Sequence, residues 1–381
     1  MTMTYTEPAR VSRLSAALPF WLSLVCVPLA ALGAWFGGVA AFLLPIWAWG
    51  AFGAMDAVAG SYGGNADPAT PDSDLRWYRL ITVAWFPIQF ALTFALIWFL
   101  AATDHLAAWE ELALFFGVGV IAGTIGITYA HELMHQKPKV ERWMADLLMA
   151  MALYGHFRSE HLLVHHRYVG TPRDPVSARY GEGFWMFLPR VLWGSLRSAW
   201  KAEAGLLARR NLPPWAARNP FWRYGALAAG MLALAALLGG WWGVLLFAFQ
   251  AAVAIWQLEL VDYIEHYGLT RKHLGEGRYE HVRPHHSWNA AQRASNWLLI
   301  NLQRHSDHHY KPERRFPLLQ TYGPDEAPLL PAGYPVMTIA ALVPPVWRRI
   351  MHPRVAEWRA RHYPEIADWG PYDRRETPMP R

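Results

Sequence analysis

Cysteine is almost missing from this 381-residue chain, whose only thiol, Cys26, sits inside an apolar run. A single thiol excludes a disulfide framework, an iron–sulfur cluster and any site built on a Cys pair. Charge is scarce as well: Asp, Glu, Lys and Arg make up 17% of the residues, against roughly 25% in an ordinary soluble domain. There is no glycine-rich dinucleotide fingerprint and no flavin motif, so electrons for any redox chemistry must come from outside. A cleavable signal peptide is not expected either, because the first apolar run is long and a second follows almost at once. What fills the chain instead is hydrophobic, 54% of the residues with 22 Trp among them. Length alone would allow two or three soluble domains, but the apolar runs argue for one membrane-embedded unit over 1–381.

Residues 1–16 are polar and carry Arg10 and Arg13. Six spans are expected after them, at about 17–36, 38–58, 80–102, 112–134, 222–239 and 241–261. Gly37-Gly38 and Gly239-Gly240 would make the tight turns within the first and last pairs, and Pro87 is tolerated as an interruption of the third. The mixture of Trp, Phe and Leu with Arg190, Arg197, Lys201, Arg209 and Arg210 in Phe184–Arg210 reads as a helix lying in the membrane interface. Val336–Val346 is apolar but too short to span, and is read as a cap or surface contact. Apart from the loose pairing of spans there are no repeats. Lys and Arg are absent between Arg13 and Arg76, between Arg79 and Lys137, and between Arg223 and Arg271. These gaps hold the turns after spans one, three and five, so the positive-inside rule puts both termini and the polar portions 135–221 and 262–381 in the cytoplasm. The expected fold class is all-α: a polytopic membrane protein of six transmembrane helices with a cytoplasmic helical cap.

Three histidine clusters stand out: His131 with His135; His161 with His165 and His166; and His305 with His308 and His309. Residues three and four apart share a helix face, so each cluster can aim its imidazoles at one point. Eight imidazoles are too many for one tetrahedral ion and about right for two. Glu132, Glu160, Asp174, Asp262, Glu265 and Asp307 are placed to hold the second nitrogen of such histidines, although a solvated charge explains any one of them equally well. Imidazole suits Zn, Cu, Fe and Ni alike, so the ligand type does not name the metal. His266 stands alone beyond the sixth span, and spacing leaves its ligation open. Pro284 argues against a helix through His281, His285 and His286, which are read as support or loop scaffold, like His156 and His273. His105, His352 and His362 are read as surface or interface residues.

The stretches HELMHQ from His131, YGHFRSEHLLVHHRYVGTPRDP from Tyr154, EHYGL from Glu265, GRYEHVRPHHSWN from Gly277 and LQRHSDHHY from Leu302 resemble the membrane-bound alkane 1-monooxygenases of the histidine-box desaturase and hydroxylase superfamily. The resemblance covers nearly the whole chain. It implies two non-haem irons, with no haem, flavin or nicotinamide, and adds His266 as a ninth ligand. It implies hydroxylation of the terminal carbon of medium or long n-alkanes by O2 in a bacterial inner membrane. It also implies rubredoxin as the electron donor, itself reduced by an NADH-dependent reductase; nucleic acid is not an expected partner. A greasy tunnel between spans would hold the alkane end-on and exclude water. Trp47, Trp49, Phe52, Phe116, Gly119, Gly123 and Gly126 could line it, with helix packing the plainer reading of each. Arg142, Arg158, Arg167, Lys272 and Arg304 could steer an acidic rubredoxin, although positive-inside topology also accounts for many of them. A fatty-acyl desaturase or xylene-type hydroxylase is the nearest alternative. A metal transporter is remote, because its ligands should lie mid-span.

Overall fold

The computed structural model describes residues 5, 6 and 11–381; Arg10 lies outside them. Helices α1 (Leu14–Phe36), α2 (Gly38–Ala59), α3 (Asp72–Thr103) and α4 (Ala108–Met134) are each long and apolar enough to cross a membrane. A polar segment follows, with α5 (Lys139–Met151), α6 (Phe157–Tyr168) and α7 (Phe184–Ala208). A fifth long apolar helix, α8, runs Phe221–His266. Short helices α9 (Arg293–Leu298), α10 (His305–Tyr310) and α11 (Tyr334–Ala341) lead to the amphipathic α12 (Pro344–His362). The strands among the described residues are a two-residue parallel pair, Tyr5–Thr6 beside Asn65–Ala66. The fold is all-helical, as expected.

Five long helices stand where six spans were expected, because α8 runs as one element through a kink at Gly239 and Gly240. Its backbone is not helical there. Gly240 has φ 59° and ψ −152°, nearly the same angles as Gly37 between α1 and α2, φ 59° and ψ −153°. An L side chain strongly disfavours both. At Gly243 an added Cβ would lie 2.6 Å from the carbonyl oxygen of Ala235, so the two halves of α8 pack closely beside the turn. At the first turn the Glu110 side chain accepts from Gly38 N–H (2.6 Å) and Ala107 N–H (2.7 Å), covering amides that would otherwise be unpaired.

α4 is the central helix: 83% of its apolar window is buried, against 22–44% for the other four. Glycine makes that position accessible. A Cβ at Gly119 would stand 2.6 Å from the Gln250 carbonyl oxygen, and one at Gly123 2.7 Å from that of Ala254, so α4 and α8 meet backbone to backbone. α8 also continues to His266, five residues beyond the predicted end at Val261. The apolar pattern stops there because Asp262, Glu265 and His266 are buried polar residues facing inward. α7 keeps the predicted outward apolar face, with Trp185, Trp193 and Trp200 exposed. Val336–Val346 is split between α11 and the start of α12, broken at Val343 before Pro344-Pro345. Trp347, Met351, Val355 and Trp358 on α12 join the ends of α7 and α8 in a second hydrophobic cluster, separate from that of the long helices. Each fully buried side chain of this size contributes about 2–3 kcal/mol of transfer free energy.

Candidate metal centre

Nine histidines converge at the C-terminal ends of α4 and α8, drawn from α4, α6, α8 and α10. They form two groups. His131, His135, His161, His166 and His308 make one, and His165, His266, His305 and His309 the other; within each, the ligand atoms lie within 4.8 Å of one another. Neighbouring Nε2 atoms approach to 3.0 Å (His135–His161), 2.9 Å (His161–His166) and 3.0 Å (His166–His308) in the first group. In the second they approach to 3.2 Å (His165–His309), 2.9 Å (His305–His309) and 3.1 Å (His266–His305). With metal–nitrogen bonds of about 2.1 Å, ligand atoms 90° apart stand ~3.0 Å from one another and tetrahedral ones ~3.4 Å. The observed spacing is that of edges of a coordination polyhedron. The groups adjoin, the His166 and His309 ring centroids being 4.7 Å apart.

Two of the three boxes do not aim at a single point, contrary to expectation. His161–His165 is a π-helical turn, in which the amide of His166 bonds the carbonyl of His161. Bonding five residues apart brings His161 and His166 together and turns His165 to the other side. In α10, His305 and His309 stand one turn apart on one side, while His308, 60–100° round the helix, serves the other group. Only the His131–His135 pair stays together.

Burial and the neighbouring imidazoles favour the neutral form, the state that binds metal, at six of these rings outside the apolar helices. The His135 pKa is lowered to about 3, and those of His161, His166, His305, His308 and His309 fall well below the usual imidazole range. Carboxylates surround them. Asp174 Oδ2 accepts from His165 Nδ1 at 3.1 Å, and Glu265 Oε2 lies 3.3 Å from His305 Nε2. Burial would raise the Asp174 pKa, yet the bonds from His165 and Ser177 and the nearby Arg375 hold it low. Glu160 is fully buried with both carboxylate oxygens unpartnered, and burial with Asp174 and Glu259 nearby pushes it well above the usual range. Asp262 Oδ2, Glu265 Oε1 and Glu259 Oε2 are buried and unpartnered too. Unpartnered acids crowded in one dry place call for cations, which neutral imidazoles do not supply. The donor set fits imidazole-bound transition metal.

The other expected supports lie elsewhere. Glu132 accepts from Gln136 and lies 3.9 Å from Arg315, which also binds Glu141 and Asp72, so it belongs to an ion-pair network and orients no histidine. Asp307 holds Arg314, Tyr322 and the Gln320 amide. His156 packs on Tyr154 and Phe221, and His281 is exposed. His285 and His286 form their own group with Glu280. There His286 Nδ1 accepts from the Arg283 amide, so Nε2 carries the proton that faces Glu280 and Tyr363, which is the wrong tautomer for a metal ligand. His362 stacks on His285, His352 bonds Tyr267, His273 accepts from Gly277, and His105 reaches the Ala34 carbonyl. Glu259 was missed by the sequence reading; it accepts from Tyr154 at 2.7 Å.

A small cavity of about 20 Å³ touches both groups through His131 and His305, with Asp262 and Glu265 beside them. Its apolar wall includes Ile127, Phe157, Val261, Leu299 and Leu302. Of the residues proposed for a tunnel, Gly123 lines it; Gly119 and Gly126 instead pack against α8 and against Gln89. Trp47 meets Phe52, and Trp49 meets Phe116 and Trp256, in edge-to-face contacts. Among the proposed docking residues, Arg304 is buried beneath Tyr62 and bonded to Asn65, Gly64 and Leu319, with its pKa lowered to about 10 by burial, so it meets no partner. Arg142 donates to the Lys137 carbonyl, Arg158 pairs with Asp146 and Lys272 with Glu365, while Arg167 is exposed and has no such pairing.

Residues 105–341 match the fatty acid desaturase family. The chain is 38% identical over 312 residues to alkane 1-monooxygenase 2 of Pseudomonas aeruginosa, covering 80% of this chain and 81% of that one. It is 36% identical over 353 residues to alkane 1-monooxygenase 2 of Alcanivorax borkumensis, covering 89% and 90%. A lesser likeness, 30% over 245 residues and 64% of each chain, is to the hydroxylase component of xylene/toluene monooxygenase of Pseudomonas putida. With two dense groups of histidine at the C-terminal ends of α4 and α8, and with these relatives, the chain belongs to the alkane 1-monooxygenase family.

Proposed function

We propose that this chain is a di-iron, rubredoxin-dependent monooxygenase of the bacterial inner membrane that converts medium or long n-alkanes to primary alcohols. That it is a hydrocarbon monooxygenase follows from its family; the two irons, the donor, the nine ligands and the topology are the reading added here. One observation carries it: two all-histidine groups, five and four strong, border one small, largely apolar cavity. The reaction balances as alkane, O2, two electrons and two protons giving alcohol and water. Iron held by the two groups supplies the O2 activation needed to break an unactivated C–H bond.

The rest falls to the protein. Ile127, Val261, Leu299 and Leu302 offer the substrate no polar handle, so position alone selects the reacting carbon. A space of about 20 Å³ admits one small group at a time, which favours a chain terminus over a mid-chain carbon. The same tight apolar wall keeps bulk water from the reaction. Asp262 and Glu265 stand at the cavity edge, where protons are consumed. Six crossings are supported by the Gly240 turn and by the absence of Lys and Arg near it, with both termini cytoplasmic.

The test is product analysis by gas chromatography on the iron-loaded protein, given O2, graded n-alkanes, and rubredoxin with its reductase and NADH. Primary alcohol that requires rubredoxin is expected. Oxidation of an acyl thioester or of xylene, with no alcohol from alkane, would overturn the substrate class.

A further inference from the structure

A second, much wider groove lies beside the metal centre and is walled by cations. It lies between α7 and the segment 163–179, holds about 920 Å³, and is lined by Arg167, Arg173, Arg179, Arg197, Lys201 and Arg209 among other cations. Its single acid, Asp174, is fully buried and already accepts from His165, Ser177 and the Val176 amide. Every charge it offers to solvent is therefore positive. Arg167, Arg197, Lys201 and Arg209 have no carboxylate partner among the described residues, unlike Arg158 or Lys272, which are spent on Asp146 and Glu365. A cleft of one sign with low-dielectric walls focuses its field outward. Along its floor α7 presents Gly194, Ser198, Ala202 and Gly205, small residues that leave the cations standing clear.

We propose that this groove is the docking surface for an acidic one-electron carrier protein, and that Asp174 and His165 link it to the metal centre. The proposal rests on the donor reading above and gives it a place. Two observations favour a protein over a lipid headgroup. At 3.6 residues per turn, Gly194, Lys201 and Gly205 lie roughly 80–180° round α7 from Trp185, Trp193 and Trp200, while Arg197 stands at the border, roughly 40–60° from Trp193 and Trp200. With the Trp face in the bilayer, the groove faces the aqueous side. The second is proximity: the groove wall is one hydrogen bond from a histidine of the four-member group, Asp174 Oδ2 to His165 Nδ1, 3.1 Å. Each encounter oxidises the carrier by one electron and reduces the histidine-held metal by one, so a turnover takes two encounters and two protons.

The test uses the full-length, iron-loaded protein in neutral phosphatidylcholine nanodiscs, with rubredoxin as the probe. Arg197→Glu combined with Lys201→Glu is compared with wild type and with Arg142→Glu. Binding of oxidised rubredoxin is measured separately from turnover, and dithionite-driven turnover reports whether each variant still folds and hydroxylates. The expected result is a loss of rubredoxin affinity of about tenfold or more in the double variant. KM for reduced rubredoxin should rise to match, the salt dependence should flatten, and dithionite-driven turnover should stay unchanged. Rubredoxin-driven turnover that survives the double variant with unchanged KM overturns the groove and leaves the donor standing. Rubredoxin that binds wild type but not the double variant, yet supports no turnover, overturns the donor and leaves the groove standing. An effect confined to Arg142→Glu, or a loss confined to binding of phosphatidylglycerol vesicles, overturns the groove as a protein site.

Discussion

Asp174→Asn tests the two histidine groups separately. The carboxylate of Asp174 accepts from His165 Nδ1 (3.1 Å), Ser177 Oγ (2.6 Å) and Ser177 N–H (3.1 Å) at Oδ2, and from Val176 N–H (3.1 Å) at Oδ1. An amide keeps only one of those two acceptor oxygens. If the amide nitrogen faces His165, two N–H groups meet, and the ring is driven to the tautomer that places a proton on Nε2, the atom that approaches His309. If it faces Val176, that amide loses its acceptor in a fully buried place. Loss of the group that orients a metal-bound histidine costs 10–100-fold in affinity, or about 1.4–2.7 kcal/mol. The loss should fall on the four-histidine group, because Asp174 touches none of the rings of the other five. Metal analysis after dialysis against a graded chelator should show wild type holding two ions per chain over a range in which the variant holds one. Equal weakening of both ions, or two ions held as tightly as in wild type, would refute both the grouping and the role of Asp174.

Further outcomes follow from the same geometry. His135→Ala and His165→Ala should each cost one ion and the activity while the protein still inserts in the membrane, read by metal content, turnover and membrane fractionation; full turnover in either would sink the ligand assignment. Gly119→Ala should destabilise by about 1–3 kcal/mol through overpacking, since its Cβ would meet a carbonyl oxygen at 2.6 Å. Gly230→Ala, with open space around it, should melt at the wild-type temperature or slightly above. Metal-free protein should lose thermal stability as pH falls. The unfolded chain takes up protons below about 6.5, whereas His135 in the folded state resists them to about 3. The unfolded state then binds more protons, and stability rises with pH through that window. A Tm at pH 5 equal to that at pH 7.5 would contradict the burial of these rings.

Much of this was legible in the sequence because it depends on short-range pattern. The histidine spacings, the paired glycines and the gaps in Lys and Arg each report on a few residues of helix or on one turn. The grouping of the histidines was not legible. It depends on whether the turn at His161 bonds four or five residues back, and side-chain identity there favours neither. The true end of α8 was hidden for a related reason: hydropathy falls at Val261 although the helix goes on, since buried Asp262 and Glu265 look like surface residues until their surroundings are known. Arg304 and Arg315 show the converse. A basic residue in a polar stretch reads as surface, and only tertiary packing turns these inward, onto Tyr62 in one case and onto Glu141 and Asp72 in the other. The free cations of the groove were individually visible, but their convergence was not, because it depends on how the segment before α7 folds back along that helix.

The π-helical turn of α6 also bears on how this chain can vary. Because His161 and His166 sit on one side of it and His165 on the other, the two histidine groups are separated by backbone winding alone. Removing one residue between Glu160 and His166 would tighten the turn to α-helical winding and reverse which side each ring faces. Inserting one would do the same in the opposite sense. Substitutions here can be repaired by a neighbouring side chain, whereas a change of length cannot. Natural and laboratory variation should therefore leave the five-residue count from His161 to His166 fixed, even where the residues between them drift.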